Sequence, residues 1–408
     1  MSLKRVETVL KASLQEMRTR GTLKGDEKII TGIKGPEKDF GPRYYLKGEG
    51  KKEFLRMNSN SYLGLSLHPD VIAAEEETTK LYGTGPGAVR FISGTFEAHI
   101  ELEKALAAFH GRESAIIFSS AYSAVMGVLS QLITEETLVI SDALNHNCII
   151  NAIRLSRPAV KAVYPHLNME GLSSALKEGA GKAKRAIVVT DGIFSMRGDH
   201  APLDRITDIC RNHEGTFKEG IITVADDSHG VGAFGKSGRG TEEVTGRKAD
   251  VLISTLGKSI GVNGGYAVTS STIIDYLREK APFYVYSNPI TPSEAVATLK
   301  ALQLLDSPAG LKLLENLNSL TKKLKKGIET LGFETIAGDH PIVPLMIRNT
   351  EKTRGLVNYL FTRGILATGL NYPVVPKGDE EIRFQVSAGH TSGDIEYLLE
   401  TLGSFKEY

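Results

Sequence analysis

Ile221-Ile222-Thr223-Val224-Ala225-Asp226-Asp227-Ser228-His229 is the stretch that decides the fold. Its first half is apolar and β-branched, the profile of a strand buried on both faces, and it stops abruptly on two carboxylates, a hydroxyl and an imidazole. Such a strand belongs inside a mainly parallel sheet, where ligands gather at the carboxyl ends of the strands. Outward from it, similar short apolar runs occur at 115–118, 138–141, 161–164, 186–190 and 251–255. They alternate with helical segments such as 69–81 and 99–109, and that alternation defines an α/β layered unit.

A chain of 408 residues exceeds one ordinary domain. Three parts are expected: an N-terminal helix and arm over 1–56, a large unit over 57–292, and a small α+β unit over 293–408. Pro289 and Pro292 break the pattern before the last part, in which helices at 293–305, 309–331, 353–363 and 392–402 flank strands at 342–347 and 382–387. Lys322, Lys323, Lys325 and Lys326 read as a solvated helix face. Near the N-terminus, Val6, Leu10, Leu14 and Met17 recur at helical spacing, predicting a surface helix that docks by one stripe. Charged residues interrupt that segment, so it reads as neither a signal peptide nor a membrane span. With 49 basic and 48 acidic residues, the charge balance gives no case for a nucleic-acid partner. Two cysteines, Cys148 and Cys210, in no metal-type spacing, exclude a disulfide framework and point to a cytoplasmic enzyme.

Chemistry concentrates after the strands. Ser254-Thr255-Leu256-Gly257-Lys258 places a lysine beyond a buried apolar run, where an ammonium is costly unless paired or used. Lysine also forms Schiff bases with carbonyl cofactors. Asp226, in line with its strand, supplies the anionic partner that the ring nitrogen of pyridoxal 5'-phosphate (PLP) needs to act as an electron sink, and His229 could reach the phenolic oxygen. Ser119-Ser120-Ala121-Tyr122 follows a strand and opens a helix, whose free N–H groups suit a phosphate. His146, after the 138–141 run, could stack on a cofactor ring, and Ser195 falls on the same sheet edge. Gly230-Val231-Gly232-Ala233-Phe234-Gly235 fits a dinucleotide-binding pattern, but Gly238 and Gly240 follow and no apolar helix begins, which argues against a dehydrogenase.

Taken together these segments resemble the α-oxoamine synthases, PLP-dependent acyl-coenzyme A:amino acid C-acyltransferases of fold type I. The resemblance runs from about Met57 to Leu402. It is carried by Asn60-Ser61-Tyr62-Leu63-Gly64-Leu65, Val89-Arg90-Phe91-Ile92-Ser93-Gly94-Thr95, 141–146, 191–196, 226–229, Thr255-Leu256-Gly257-Lys258, Tyr286-Ser287-Asn288, and Val374-Val375-Pro376-Lys377-Gly378 with Ile382-Arg383. It implies a mainly parallel seven-stranded sheet in a PLP-binding large domain, followed by the small α+β domain. Lys258 would hold the cofactor covalently and then act as base, with Asp226 on the pyridine nitrogen, His146 stacked on the ring, and His229 with Ser195 at the phenolic oxygen. The backbone at Ala121 and Tyr122 would hold the phosphate, completed by Ser287 of the partner subunit in a homodimer with its active site at the interface. Arg383 would bind the substrate carboxylate, with Asn60 beside it. Segments 90–95 and 372–378 look most like the branch that joins glycine to acetyl-coenzyme A and keeps the carboxylate. The next branch joins alanine to a pimeloyl thioester and loses carbon dioxide. Departures from the family are Val125, Arg197 and extra residues at 214–220.

Overall fold

The computed structural model describes residues 2–20, 22–23, 27–372 and 374–405. Met1, positions 21 and 24–26 of the expected arm, Pro373 of the 372–378 segment and the last three residues lie outside the described residues. The chain opens with helix α1 (Ser2–Thr19) and short strands β1 (Ile30–Lys34), β2 (Arg43–Leu46) and β3 (Leu55–Arg56). Helices α2 (Pro69–Tyr82), α3 (Arg90–Ser93) and α4 (Glu97–His110) lead into an alternating region. That region runs β4 (Ser114–Phe118), α5 (Ala121–Leu132), β5 (Thr137–Asp142), α6 (Asn147–Ser156), β6 (Val160–Tyr164), α7 (Met169–Gly179), β7 (Arg185–Asp191), α8 (Leu203–His213), β8 (Ile221–Asp226), α9 (Thr241–Thr245), β9 (Val251–Thr255) and β10 (Gly265–Thr269).

These seven strands form one sheet in the order β4-β10-β9-β8-β7-β5-β6. β10 runs antiparallel to both its neighbours, and the pairs among β5 to β9 are parallel. The central strands are buried along nearly their whole length, as their continuous apolar runs require. β10 is not among the strands expected from the sequence; it begins on a glycine, Gly265, which follows Gly264. Gly265 is needed there because a Cβ would lie 2.3 Å from the Ala121 nitrogen, so the strand passes directly beneath the start of α5.

Helices α10 (Ser271–Lys280), α11 (Pro282–Val285), α12 (Pro292–Leu305) and α13 (Pro308–Thr330) follow. A second, four-stranded sheet takes β11 (Glu334–Thr335), β12 (Ile342–Met346), β14 (Thr368–Leu370) and β15 (Glu381–Gln385), with α14 (Thr350–Thr362), the two-residue β13 (Ile365–Leu366) and the closing α15 (Ser392–Gly403) around it. Local sequence sets the helix starts. Thr291 and Glu294 form a capping box around Pro292, and Thr391 with Asp394 does the same for α15. Asp394 also accepts from Gly41 N at 3.0 Å and pairs with Arg43 at 2.6 Å, while β3 pairs with β13. The N-terminal arm is thereby fixed to the C-terminal sheet region. α12 packs on α2 and α4 of the first part of the chain.

The expectation for the N-terminal segment is corrected in part. A helix forms, but its stripe is not docked within the chain: Val6, Leu10, Leu14 and Met17 are 53%, 57%, 51% and 44% exposed. Spacing encodes an amphipathic helix without encoding what covers it.

The glycine-rich segment has a different purpose from nucleotide binding. Asp227 is fully buried and accepts from Thr241 N at 2.6 Å and Thr241 Oγ1 at 2.7 Å. A Cβ on Gly230 would sit 2.1 Å from one oxygen of this carboxylate, and one on Gly240 would sit 2.0 Å from the other. The chain wraps the Asp227 carboxylate closely, and glycine is the residue that permits the approach. Burial pushes this carboxyl up to about 7 against the opposing pull of the Thr241 bonds.

Candidate active site

The carboxyl ends of β4, β5, β7, β8 and β9 converge on one cleft with about 370 Å³ of empty space, part of it open to solvent. Ala121, Tyr122, His146, Ser195, Asp226, His229 and Lys258, each predicted from sequence, line it together. Arg383 stands behind this wall, donating from Nη1 to the Ser195 carbonyl at 2.7 Å. Asn60 is one step away: Tyr62 Oη lies 3.4 Å from Asn60 Oδ1 and 2.8 Å from His229 Nδ1. Ser287 does not line the cleft; its hydroxyl donates to the Asn288 carbonyl at 3.5 Å.

Asp226 is deep and well furnished with donors. Oδ1 accepts from Ser228 N at 3.1 Å and Ser228 Oγ at 2.5 Å, and Oδ2 faces the Cys148 thiol at 3.8 Å. Its partner in register on β7 is Asp191, which also lines the cleft and accepts from the His146 backbone N–H at 3.0 Å. Burial first, and then the neighbouring Asp226 charge, lift the Asp191 carboxyl well above the ordinary range. The two adjacent carboxyls therefore differ in their surroundings: Asp226 is furnished with donors, whereas burial and the neighbouring charge raise Asp191. Burial draws the Lys258 amine down to about 8, even though Asp226 and Asp191 pull it upward.

His146 caps α6, its Nδ1 accepting from Cys148 N at 3.3 Å, which leaves the ring proton on Nε2. Burial, reinforced by the positive charge of Lys258, pushes the His229 imidazole well below its ordinary value, so this ring is neutral. His340 Nε2 meets the His229 carbonyl at 2.9 Å and fixes the backbone there. At the start of α5, Ser120 takes Ser123 N with its side chain and Ala124 N with its carbonyl. Among the described residues, that leaves the N–H groups of Ala121 and Tyr122 as the helix's open donors, a site for an anion. An amine drawn down by burial, a carboxylate at the cleft floor, a neutral imidazole edge and an anion-binding helix start form the donor set that PLP requires, and the residues fit it.

Sequence reasoning missed Asp191, Cys148 and Tyr62 as parts of this site. Asp191 carried a signal, since it ends a buried strand just as Asp226 does, and Tyr62 stands within the Asn60–Leu65 motif; Cys148 carried none.

His166 joins two of the loops. Its Nδ1 meets Asp142 at 2.9 Å and its Nε2 meets Asp199 at 3.2 Å, and Arg197 also pairs with Asp199 at 2.9 Å. Asp142 accepts in addition from Leu144 N and Leu167 N, so the imidazolium links the turn before His146 to the loop bearing Ser195. Burial lowers this histidine, but its hydrogen bonds to Asp142 and Asp199 win and raise it from 6.5 to about 9. A folded-state value above the unfolded one contributes stability that is complete below about 6.5 and is lost as pH rises through about 9. The melting temperature of the wild type is expected to fall across that window, and His166→Asn to melt lower at neutral pH with a flatter profile. Parallel profiles for the two proteins would contradict the assignment.

The sheet and the lysine–aspartate cleft at its strand ends define a PLP-dependent enzyme of fold type I. The profile of the aminotransferase class I and II family matches residues 52–402. An 8-amino-7-oxononanoate synthase of Bacillus velezensis is 38% identical over 97% of this chain and 96% of its own length. A mitochondrial 2-amino-3-ketobutyrate coenzyme A ligase of Bos taurus is 37% identical over 98% of this chain and 92% of its own. Among solved structures, a Sphingomonas wittichii serine palmitoyltransferase superimposes with a TM-score of 0.87 at 26% identity, covering 97% of this chain and 96% of that one. A lysine-to-alanine variant of serine palmitoyltransferase from S. paucimobilis with bound PLP–myriocin aldimine gives 0.86 at 27% identity over 97% and 96%. The chain belongs to the aminotransferase class I and II family and, within it, to the α-oxoamine synthases. It is a PLP-dependent acyltransferase whose substrates are of the amino acid and acyl thioester types. Among the described residues, no helix is long and apolar enough to cross a membrane.

Proposed function

We propose that the enzyme condenses glycine with the acetyl group of acetyl-coenzyme A, giving an α-amino ketone that keeps its carboxylate, and free coenzyme A. The observation that carries the reading is the meeting of Lys258, Asp226, His146 and His229 in one cleft, with Arg383 directly behind Ser195. When bound, PLP supplies the electron sink that lets a Cα–H bond break. Asp226 would hold the proton on the ring nitrogen, His146 would cover the ring, and His229 with Ser195 would meet the phenolic oxygen. The Tyr62 hydroxyl, 2.8 Å from Nδ1, fixes the orientation of the His229 ring. The N–H groups of Ala121 and Tyr122 would hold the phosphate. Arg383 grips the substrate carboxylate through a two-point pair, Asn60 lies beside it, and the amine of Lys258 removes the Cα proton. That carbon then bonds to the thioester carbonyl, and coenzyme A departs as the thiol.

Glycine and acetyl-coenzyme A are supported by segments 90–95 and 372–378 and by the ligase likeness. The synthase relative favours a second reading, alanine with a pimeloyl thioester and loss of carbon dioxide. A thiol-release screen of the holoenzyme decides between them, crossing acetyl-, malonyl-, succinyl-, pimeloyl- and palmitoyl-coenzyme A with glycine, serine and alanine. Release with glycine and acetyl-coenzyme A is expected; a preference for alanine and pimeloyl-coenzyme A would replace the first reading by the second.

The active site is further proposed to form in a homodimer, with Ser287 of the partner subunit completing the phosphate site. Support comes from Tyr286, Phe91 and Ile92, which are 75%, 63% and 69% exposed, with Phe91 and Tyr286 in edge-to-face contact next to Ser287 in the chain.

A further inference from the structure

A guanidinium has five N–H donors, arranged as a side-on fork (Nε and Nη2) and an end-on fork (Nη1 and Nη2). Which fork meets a carboxylate depends on what occupies the other. Arg383 lies on β15, and Gln385, two residues on, leaves the same face of that strand. Gln385 is 1% exposed. Its amide nitrogen donates to the Met57 carbonyl at 3.1 Å, and its oxygen accepts from Arg383 Nη2 at 2.9 Å and Nε at 2.5 Å. The opposite amide orientation would set donors against the guanidinium and two oxygens against each other, so bonding selects this one. Gln385 therefore fills the side-on fork. The Ser195 carbonyl takes one proton of Nη1, leaving one N–H on each terminal nitrogen.

We propose that Gln385 is a positioning residue for the amino acid substrate: it occupies the side-on fork of Arg383 and turns the end-on fork toward the α-carboxylate. This rests on the reading that Arg383 binds that carboxylate. The choice of an amide has a chemical reason. A neutral oxygen satisfies two donors of the guanidinium without cancelling its charge, so the full positive charge remains for the substrate. A glutamate at 385 would fill the same fork and neutralise it. The nearby carboxyl of Glu381, also on this strand face, is kept from doing so: buried at 2% exposure, it rises to about 8 despite Arg383 and Arg197 and stays protonated at neutral pH.

The test uses Gln385→Met, which keeps the volume and removes the acceptor, and Gln385→Glu, which keeps the acceptor and removes the net charge. In the holoenzyme, the absorbance change of the bound cofactor reports the dissociation constants of glycine and of glycinamide, which lacks the carboxylate. Both variants are expected to bind glycine roughly 10- to 100-fold more weakly, with glycinamide affinity, PLP content and KM for the acyl thioester unchanged. Equal weakening of glycine and glycinamide, or unchanged glycine binding in both variants, would overturn the proposal. Arg383→Leu separates the two levels. Should it leave the preference for glycine over glycinamide intact, the Arg383 reading itself is wrong. Should it abolish that preference while both Gln385 variants retain it, the Gln385 inference alone is wrong.

Discussion

Lys258→Ala is expected to abolish glycine-dependent release of coenzyme A, lowering the rate by at least about 10⁴-fold. Two roles vanish with one amine. The first is covalent attachment of the cofactor, because a burial-depressed lysine at about 8 offers about one unprotonated amine in ten at neutral pH, far more than a free lysine does. The second is proton removal, for which a positioned general base contributes about 10²- to 10⁴-fold. Neither role has a substitute in the cleft: His229 and His146 are engaged by Tyr62 and Cys148, and Asp191 is bonded to the His146 backbone N–H. The variant should still fold, since the half-buried Lys258 side chain faces the cleft rather than the core. Two measurements check this. Thiol release should fall to background, and borohydride, which fixes the cofactor to the wild-type chain, should leave no mass increment on the variant. A variant that releases thiol at even a hundredth of the wild-type rate would show that another group acts as base.

Much of this site was legible because a buried parallel strand is a nearly continuous apolar run, so the residue where polarity returns marks the ligand edge. β8 ending on Asp226 and β9 leading to Lys258 announce themselves in this way. The antiparallel strand β10 does not, because its opening glycines look like a turn until α5 is seen lying against them. The glycines after His229 misdirect for a related reason: a pattern suited to phosphates also suits a chain wrapped around the Asp227 carboxylate, and spacing cannot tell the two apart. Residues recruited from distant elements were the least visible. Tyr62 reaches the site through a contact with His229 that spans much of the chain, and the stripe of α1 is apolar yet exposed.

Asp226→Asn is expected to lower turnover by about 10²- to 10³-fold, the usual cost of removing one preorganised electrostatic partner, while Asp191→Asn costs much less. The two carboxyls are neighbours in register, so proximity alone does not choose between them. Their surroundings do. Asp226 collects the Ser228 backbone N–H, the Ser228 hydroxyl and the Cys148 thiol, whereas burial and the charge of Asp226 raise the Asp191 carboxyl. An amide at 226 cannot keep a proton on the ring nitrogen, and the electron sink weakens in proportion. An amide at 191 retains an oxygen for the His146 N–H. Steady-state thiol release with saturating glycine, together with exchange of the glycine α-proton in deuterated water, separates this effect from acyl binding. Exchange should fall with turnover in Asp226→Asn and persist in Asp191→Asn. Equal losses in the two variants would mean that the pair shares one proton and that neither carboxyl alone serves the ring.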